Sequence, residues 1–336
     1  MSLPTVGVVV LAWQDEPYLA DCIDAVLAST GVDVRVVLVD NGCRPADLDA
    51  VGPDPRVEIV VPGTNTGFAG GCNLGAEKLE TDFLALVNSD CIVAPDALEL
   101  LAAEAEDESV GPVMASIRLA DSPDLLNSAG NPVHLVGLSW AGEMNMPERR
   151  TEPFDVTGAS GACLLLRRAL WTELGGFDEE YFAYLEDTEL SLRCWRLGLS
   201  ARCVPTAVAL HHYEFSRNAH KMYLLERNRL QMLATLWGRR SLLVLAPVLL
   251  ATEVLLLVYA LASGWGAGKL RGWVWMWHHR AHVAERRRAV QAEKLRPDSE
   301  WMLRLTPELD AQAFGPVTPV ANVFFRAYWG AVRRLL

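Results

Sequence analysis

"VGVVVLAW" (residues 6–13) is a continuous apolar, β-branched run of strand length, the pattern of a strand buried on both faces of a parallel sheet. Working outward, a helical pattern follows, with Leu19, Ile23, Val26 and Leu27 on one face, and then a second buried run, "VRVVLVDNG" (34–42). A third apolar piece, "VEIVVPG" (57–63), leads into the glycine-rich "NTGFAGGCNLGAEKL", and "DFLALVNSD" (82–90) is a fourth strand pattern ending in an acid. Alternating strands and helices of this kind predict an α/β fold with an open, mostly parallel sheet flanked by helices. Ligands of such sheets bind beyond the carboxyl ends of the strands, where Asp40, the segment from Asn65 to Gly75, and Asp90 all fall.

The chain has 336 residues, 51% of them hydrophobic, enough for a large buried sheet or for contact with a membrane. A formal net charge of −12 excludes a nucleic-acid binder, which needs a basic face. The charge is unevenly spread, because basic residues crowd the sequence from Arg217 onward. Seven cysteines without a CxxC pair read as reduced thiols serving as small apolar residues, hence as a cytoplasmic protein. The apolar start lacks a basic region before it, so it is read as a first strand and not as a signal peptide.

After residue 115 the rhythm changes to short strands and turns, with "MPERRTEPF" as a loop, and then a turn, a strand and a short helix in "VTGASGACLLLRRALWTELGGFDE". Residues 241–262 form an apolar run, interrupted by Glu253 and a proline, that is long enough to span a bilayer. Basic residues stand on both sides of it, Arg239 and Arg240 before and Lys269, Arg271, Arg280 and Arg286–Arg288 after, which opposes a single crossing. With Trp265, Trp273, Trp275 and Trp277 as an interfacial belt, the segment predicts a helical unit lying in one leaflet near anionic lipid. A hydrophobic helix pair packed on the globular body is the alternative.

The individual candidate residues carry weak signals. Asp40 suits a hydrogen bond from a base or ribose hydroxyl, yet "DNG" is also a common turn. Gly67, Gly70 and Gly71 permit close approach of backbone to a ligand, but the pattern is neither GxGxxG nor a P-loop. Asp90 suits a hard divalent cation that bridges a diphosphate. His211 and His212 end an apolar piece, and Arg217 suits phosphate oxygens or the solvated face of a helix. "YFAYLEDTELSLRCWRLG" (181–198) runs from aromatics into Glu186, Asp187 and Glu189 at a helix start, where acids are favoured by the dipole.

In order, "VVVLAW", "VLVDNG", "NTGFAGGCNLG", "LVNSD", "SGACLLLRR", "GGFDEEYFAYLEDTELSLRCWRLG" and "HHYEFSRN" resemble the family 2 glycosyltransferases, the inverting GT-A type, over roughly residues 5 to 230. Within that family the chain looks most like bacterial rhamnosyltransferase-type enzymes that elongate lipid-linked cell-envelope glycans. The resemblance implies a nucleotide-sugar-binding half over residues 1–115, an acceptor-binding and catalytic half over 116–230, and a helical membrane-interfacial region over 231–336. It implies Asp40 at the base, and Asn65, Gly67, Gly70 and Asn73 near the ribose and diphosphate. Asp90 is matched to the last position of the metal-binding DxD element, with Asn88 in place of its first acid and His212 near metal or diphosphate. Gly161 and Ala162 match a segment near donor sugar and acceptor, and Asp187 the general base, with Glu186, Tyr184 and Arg217 facing or orienting the acceptor.

The implied cofactor is Mg²⁺ or Mn²⁺. The implied partners are a dTDP or UDP sugar, such as dTDP-rhamnose, a polyprenyl-linked acceptor, and the cytoplasmic face of the cell membrane. No QxxRW element is present, which implies one or very few sugars per binding event. The helix dipole is expected to lower the Asp187 pKa. Two rivals are a nucleotidyltransferase, which needs a phosphate loop after the first strand that "AWQDEPYL" does not provide, and a non-catalytic membrane-attached binding module, favoured only by Asn88.

Overall fold

The computed structural model describes residues 2–213, 218–316 and 318–336. The strands are β1 (Thr5–Gln14), β2 (Asp33–Cys43), β3 (Val57–Val60), β4 (Phe83–Asn88), β5 (Cys91–Val93), β6 (Val110–Leu119), β7 (Ser122–Ser128), β8 (Phe154–Asp155), β9 (Cys163–Arg167) and β10 (Ser200–His211). The early helices are α1 (Leu19–Leu27), α2 (Pro45–Ala50), α3 (Gly67–Ala76), α4 (Ala97–Ala105), α5 (Arg168–Leu174) and α6 (Glu186–Leu197). Those that follow are α7 (Ala219–Leu236), α8 (Arg239–Ala262), α9 (Gly266–His278), α10 (Arg280–Glu293), α11 (Asp298–Trp301), α12 (Ala311–Phe314) and α13 (Thr318–Val332).

All ten strands form one sheet, ordered β3-β2-β1-β4-β9-β6-β10-β5, with β7 beside β6 and β8 beside β10. Strands β3, β2, β1 and β4 run parallel, as the apolar runs predict, and β6 and β10 form a second parallel pair. Strand β9 enters antiparallel between β4 and β6, and so joins the two halves. The central strand β1 is buried over Val6–Val10, consistent with helices covering both faces. Each such fully buried valine or leucine contributes about 1.5–3 kcal/mol of transfer free energy. The seven cysteines are unpaired and buried, and serve as core atoms.

The glycine-rich segment from Asn65 to Gly75 is mostly helical, since α3 begins at Gly67. Most of its glycines serve packing. A Cβ on Gly71 would collide with Leu11, and one on Gly75 would lie 2.5 Å from Val9 Cγ1, so α3 sits closer to β1 than any larger residue allows. Gly67 alone needs the left-handed region, with φ +70°, and a Cβ there would strike the Phe182 carbonyl oxygen.

The chain divides into two compact units. The sheet unit holds the described residues of 1–131, 141–194 and 199–214, and the helical unit those of 132–140, 195–198 and 215–336. In the helical unit, α8 is the one helix among the described residues long and apolar enough to cross a membrane by length and composition. Its face bearing Leu245, Val248 and Thr252 is buried, whereas Leu243, Leu250, Val254, Val258 and Leu261 form an exposed stripe at helical spacing. Glu253, within the apolar run, joins a buried cluster in which Arg229 and Lys269 each pair with both Glu226 and Glu253, and Trp273 Nε1 donates to Glu253 at 2.9 Å.

Candidate active site

The site lies in the sheet unit, at the carboxyl ends of β1, β2 and β4 and at the start of α6. Asp187 occupies the first turn of α6, and both of its carboxyl oxygens accept hydrogen bonds. Oδ1 accepts from Thr188 N at 2.6 Å and Thr188 Oγ1 at 3.2 Å. Oδ2 accepts from Gly161 N at 2.8 Å and Asn131 Nδ2 at 3.3 Å. Among the described residues these donors are all neutral and no cation pairs with the carboxyl. Burial therefore dominates and raises the Asp187 pKa, against the smaller lowering effect of the hydrogen bonds. The expectation that the helix dipole would lower it is corrected, because desolvation of the carboxyl outweighs the favourable helix end.

The chain reaches Asp187 through an unusual backbone. Phe182, Tyr184 and Leu185 have φ of 60°, 73° and 70°, conformations that non-glycine residues rarely adopt. The Phe182 carbonyl accepts from Ala69 N at 3.0 Å, which fixes this segment on the start of α3. Of the aromatics, Tyr181 is core and Tyr184 is exposed. Glu189 pairs with Arg193 at 2.8 Å, both buried, and Arg193 also donates to the Leu174 and Gly176 carbonyls, a structural arrangement. Glu186 is buried beside Asp187.

Gly161 and Ala162 connect the acid to the end of β4. Asn88 N donates to the Ala162 carbonyl at 3.0 Å, so the Asn88–Asp90 turn and the 161–162 segment are held together next to Asp187. Asp90 Oδ1 stands 3.0 Å from His211 Nε2, and His211 Nδ1 stands 2.9 Å from Asn127 Oδ1. The ring that reaches the Asp90 carboxyl is thus that of His211. His212 hydrogen-bonds the Asp90 carbonyl through its backbone at 2.9 Å and stacks on Tyr18, with centroids 3.6 Å apart.

Near β2, Asp40 Oδ1 accepts from Gly42 N and Cys43 N, the geometry of a turn. Asn65 Oδ1 accepts from Gly67 N at 2.8 Å, and Asn41 binds Thr66 and the Gly67 carbonyl, which shapes the start of α3. Gly70 lies one turn further along, with the Thr66 side chain 3.1 Å from where a Cβ would be. Asn73 uses both ends of its amide on the 177–179 segment, from Nδ2 to the Phe177 carbonyl and Glu179 and from Phe177 N to Oδ1. Arg217 lies outside the described residues.

The structure brings in residues that the sequence did not single out. Glu16 accepts from Ser89 Oγ at 2.8 Å and from Trp13 N at 3.1 Å, and burial raises its pKa. It places a second acid beside Asp90, and its only signal was an acid just beyond the first strand. Asn127 and Asn131, in the unremarkable "LNSAGN", reach Asp90 through His211 and Asp187 directly.

Among the described residues no group of three or more His, Cys, Asp or Glu side chains converges on one point, so a cation cage made of protein alone is absent. The partly exposed Asp90 carboxylate, with the His211 ring beside it, is where a divalent cation would be held.

Comparison with known proteins places the fold among the glycosyltransferases. Residues 4–232 match the family described as Glycosyltransferase like family 2, and the chain belongs to that family and is a glycosyltransferase. It is similar to the N-acetylglucosaminyl-diphospho-decaprenol L-rhamnosyltransferase of Mycobacterium tuberculosis, 29% identical over 61% of this chain and 75% of that one. It is also similar to the O-antigen biosynthesis protein RfbC of Myxococcus xanthus, 28% identical over 64% of this chain but only 18% of the larger protein. Among solved structures, the mannosyltransferase PcManGT of Pyrobaculum calidifontis, in complex with GDP-Man and Mn²⁺, shares the fold with a TM-score of 0.54 and 17% identity, over 87% of this chain and 86% of that one. GalNAc-T7 with UDP, GalNAc and Mn²⁺ shares it with a TM-score of 0.56 and 17% identity, over 70% of this chain and 49% of that one. The expected fold and family therefore hold.

Proposed function

We propose that the protein transfers one sugar, with inversion, from a nucleoside diphosphate donor to a lipid-linked glycan acceptor, and that Asp187 is the general base. The observation that carries this reading is a desolvated carboxyl that, among the described residues, is held only by neutral donors, next to the segment that adjoins Asn88 and Asp90. A carboxylate kept without a cation partner and with a raised pKa is a stronger base near neutral pH than an exposed aspartate. Asp187 takes the acceptor hydroxyl's proton while that oxygen attacks the anomeric carbon from the face opposite the leaving nucleotide. One base suffices, unlike the carboxylate pair of a glycoside hydrolase.

On this reading residues 1–115 bind the donor and 116–230 the acceptor. Asp40 and the start of α3 lie toward the nucleotide, the N–H groups of Thr66, Gly67 and Ala69 being held by Asn41, Asn65 and the Phe182 carbonyl. Asp90 and a histidine hold Mg²⁺ or Mn²⁺, which when bound neutralises charge on the leaving diphosphate. His211 is better placed for this than His212, because its ring faces the carboxyl. The mycobacterial relative, by its name an L-rhamnosyltransferase acting on a decaprenol-linked glycan, supports L-rhamnose as the sugar and a polyprenyl-linked acceptor, with dTDP-rhamnose as the proposed donor. The exposed stripe of α8, flanked by exposed Arg239 and Arg240, supports attachment of the helical unit to the cytoplasmic leaflet.

Thermal shifts with dTDP, UDP and GDP, each with and without Mn²⁺, test the donor class. A ligand at about a hundred times its Kd stabilises by roughly 2.7 kcal/mol, a shift of several degrees. A Mn²⁺-dependent shift with dTDP is expected, and no shift with any of the three nucleotides contradicts the reading.

A further inference from the structure

Asp187 offers no open acceptor position. A carboxylate has about four lone-pair sites, and Thr188 N, Thr188 Oγ1, Gly161 N and Asn131 Nδ2 fill them. An incoming hydroxyl must therefore displace one donor, and the four differ in how firmly they are held. Gly161 N and Thr188 N are backbone groups with short bonds of 2.8 and 2.6 Å, and the Thr188 side chain is buried. Asn131 Nδ2 belongs to a rotatable side chain from a segment 56 residues away, makes the longest of the four bonds at 3.3 Å, and is only half-buried, as is Asp187. Its backbone is anchored separately, by Asn131 N donating to the Gly158 carbonyl at 2.7 Å. The other end of the amide accepts from Ser128 Oγ at 3.4 Å, a bond just as long, so a turn of the side chain releases both while the backbone stays in place.

We propose that the Asn131 amide occupies the seat of the acceptor's attacking hydroxyl on Asp187 Oδ2, and that on binding the hydroxyl displaces it and the freed amide hydrogen-bonds the acceptor sugar. Asn131 is then a positioning residue for the acceptor, and the inference rests on Asp187 being the base. In the complex the hydroxyl donates to Oδ2. As its oxygen forms the bond to the anomeric carbon, its proton passes to Oδ2 and the anomeric carbon–oxygen bond breaks, its electron pair leaving with the nucleoside diphosphate. The other charged side chains near Asp187 on α6 are Glu186 and Glu189, the latter neutralised by Arg193.

Asn131→Ala separates this from a merely structural role. In the free enzyme the amide stabilises the carboxylate, so its loss raises the pKa seen in the acid limb of kcat/KM for acceptor. In the complex the amide has already left the carboxyl, so the acid limb of kcat stays where it is. The acceptor KM changes less than about threefold, because the hydrogen bond lost to the sugar is offset by the bond to Oδ2 that no longer has to be broken, and the donor KM changes less than about twofold. If both acid limbs move together, or neither moves, the proposal is overturned. Asn131→Ser, which keeps a polar side chain too short to span the gap, is measured in parallel and must agree, and a melting curve on each variant checks folding. Asp187→Asn is the control for the underlying reading. Wild-type transfer by that variant defeats the base assignment, whereas its inactivity beside an unmoved Asn131→Ala profile defeats the present inference alone.

Discussion

Two sets of desolvated acids, one in each unit, behave in opposite ways. In the helical unit Glu226 and Glu253 are met by Arg229 and Lys269, and the Glu253 pKa is lowered, because attraction to Arg229 and Lys269 together exceeds the effect of burial. In the sheet unit Asp187 is met by two backbone N–H groups, a hydroxyl and an amide, and burial raises its pKa. The side-chain chemistry is nearly the same, and the partner decides the use. A carboxylate among cations is fixed and unreactive, whereas one among neutral donors keeps its appetite for a proton.

This contrast can be broken by substitution. Asp187→Asn is expected to lower kcat by about 10²–10⁴-fold, the usual contribution of a general base. Its melting temperature should not fall, since the amide removes a desolvated charge that no cation among the described residues neutralises. A marked loss of stability would put Asp187 in the structural class. Glu226→Ala leaves Arg229 and Lys269 sharing one acid and should destabilise the helical unit by about 3–5 kcal/mol in urea melts. A loss below about 1 kcal/mol would mean that solvent already reaches the cluster. Gly67→Ala, at φ +70° against the Phe182 carbonyl, should cost about 1–3 kcal/mol and weaken transfer by shifting the segment that leads into Asp187.

The pH dependence sharpens the comparison further, with opposite signs. The depressed Glu253 pKa gives stability that is present above its unfolded pKa and lost as pH falls through the folded value, so the helical unit should weaken in acid. The raised Asp187 pKa makes the folded state bind more protons, so its contribution to stability declines as pH rises through the interval between the unfolded and folded values. Melting curves of wild type and of each substituted protein between pH 3 and pH 7 (about the range in which carboxylates titrate) separate the two slopes.

Much of the sheet unit was legible in the chain. β1, β2 and β4 announce themselves as unbroken apolar runs, because a strand buried on both faces has no polar side to show. The "YLED" segment was legible as an acid at a helix start. What stayed hidden depends on pairing across distance. Asn131 meets Asp187 over 56 residues of chain, and His211 meets Asp90 over 121, with no local pattern to mark either. The α3 glycines were read as ligand-facing, although Gly71 and Gly75 are small because β1 packs against them, a reason visible only once strand and helix are adjacent. Glu253 looked like an interruption in an apolar run, and its partners on α7 and α9 explain why it is tolerated there.

On the proposed reading, desolvation among neutral donors keeps Asp187 reactive. The most direct measurement is a ¹³C NMR titration of the aspartate carboxyl carbons in the full chain, with Asp187→Asn to assign the signal. A midpoint for Asp187 clearly above that of an ordinary aspartate is expected. A midpoint at or below the ordinary value would contradict that reading, and would return Asp187 to the role of a helix-start acid.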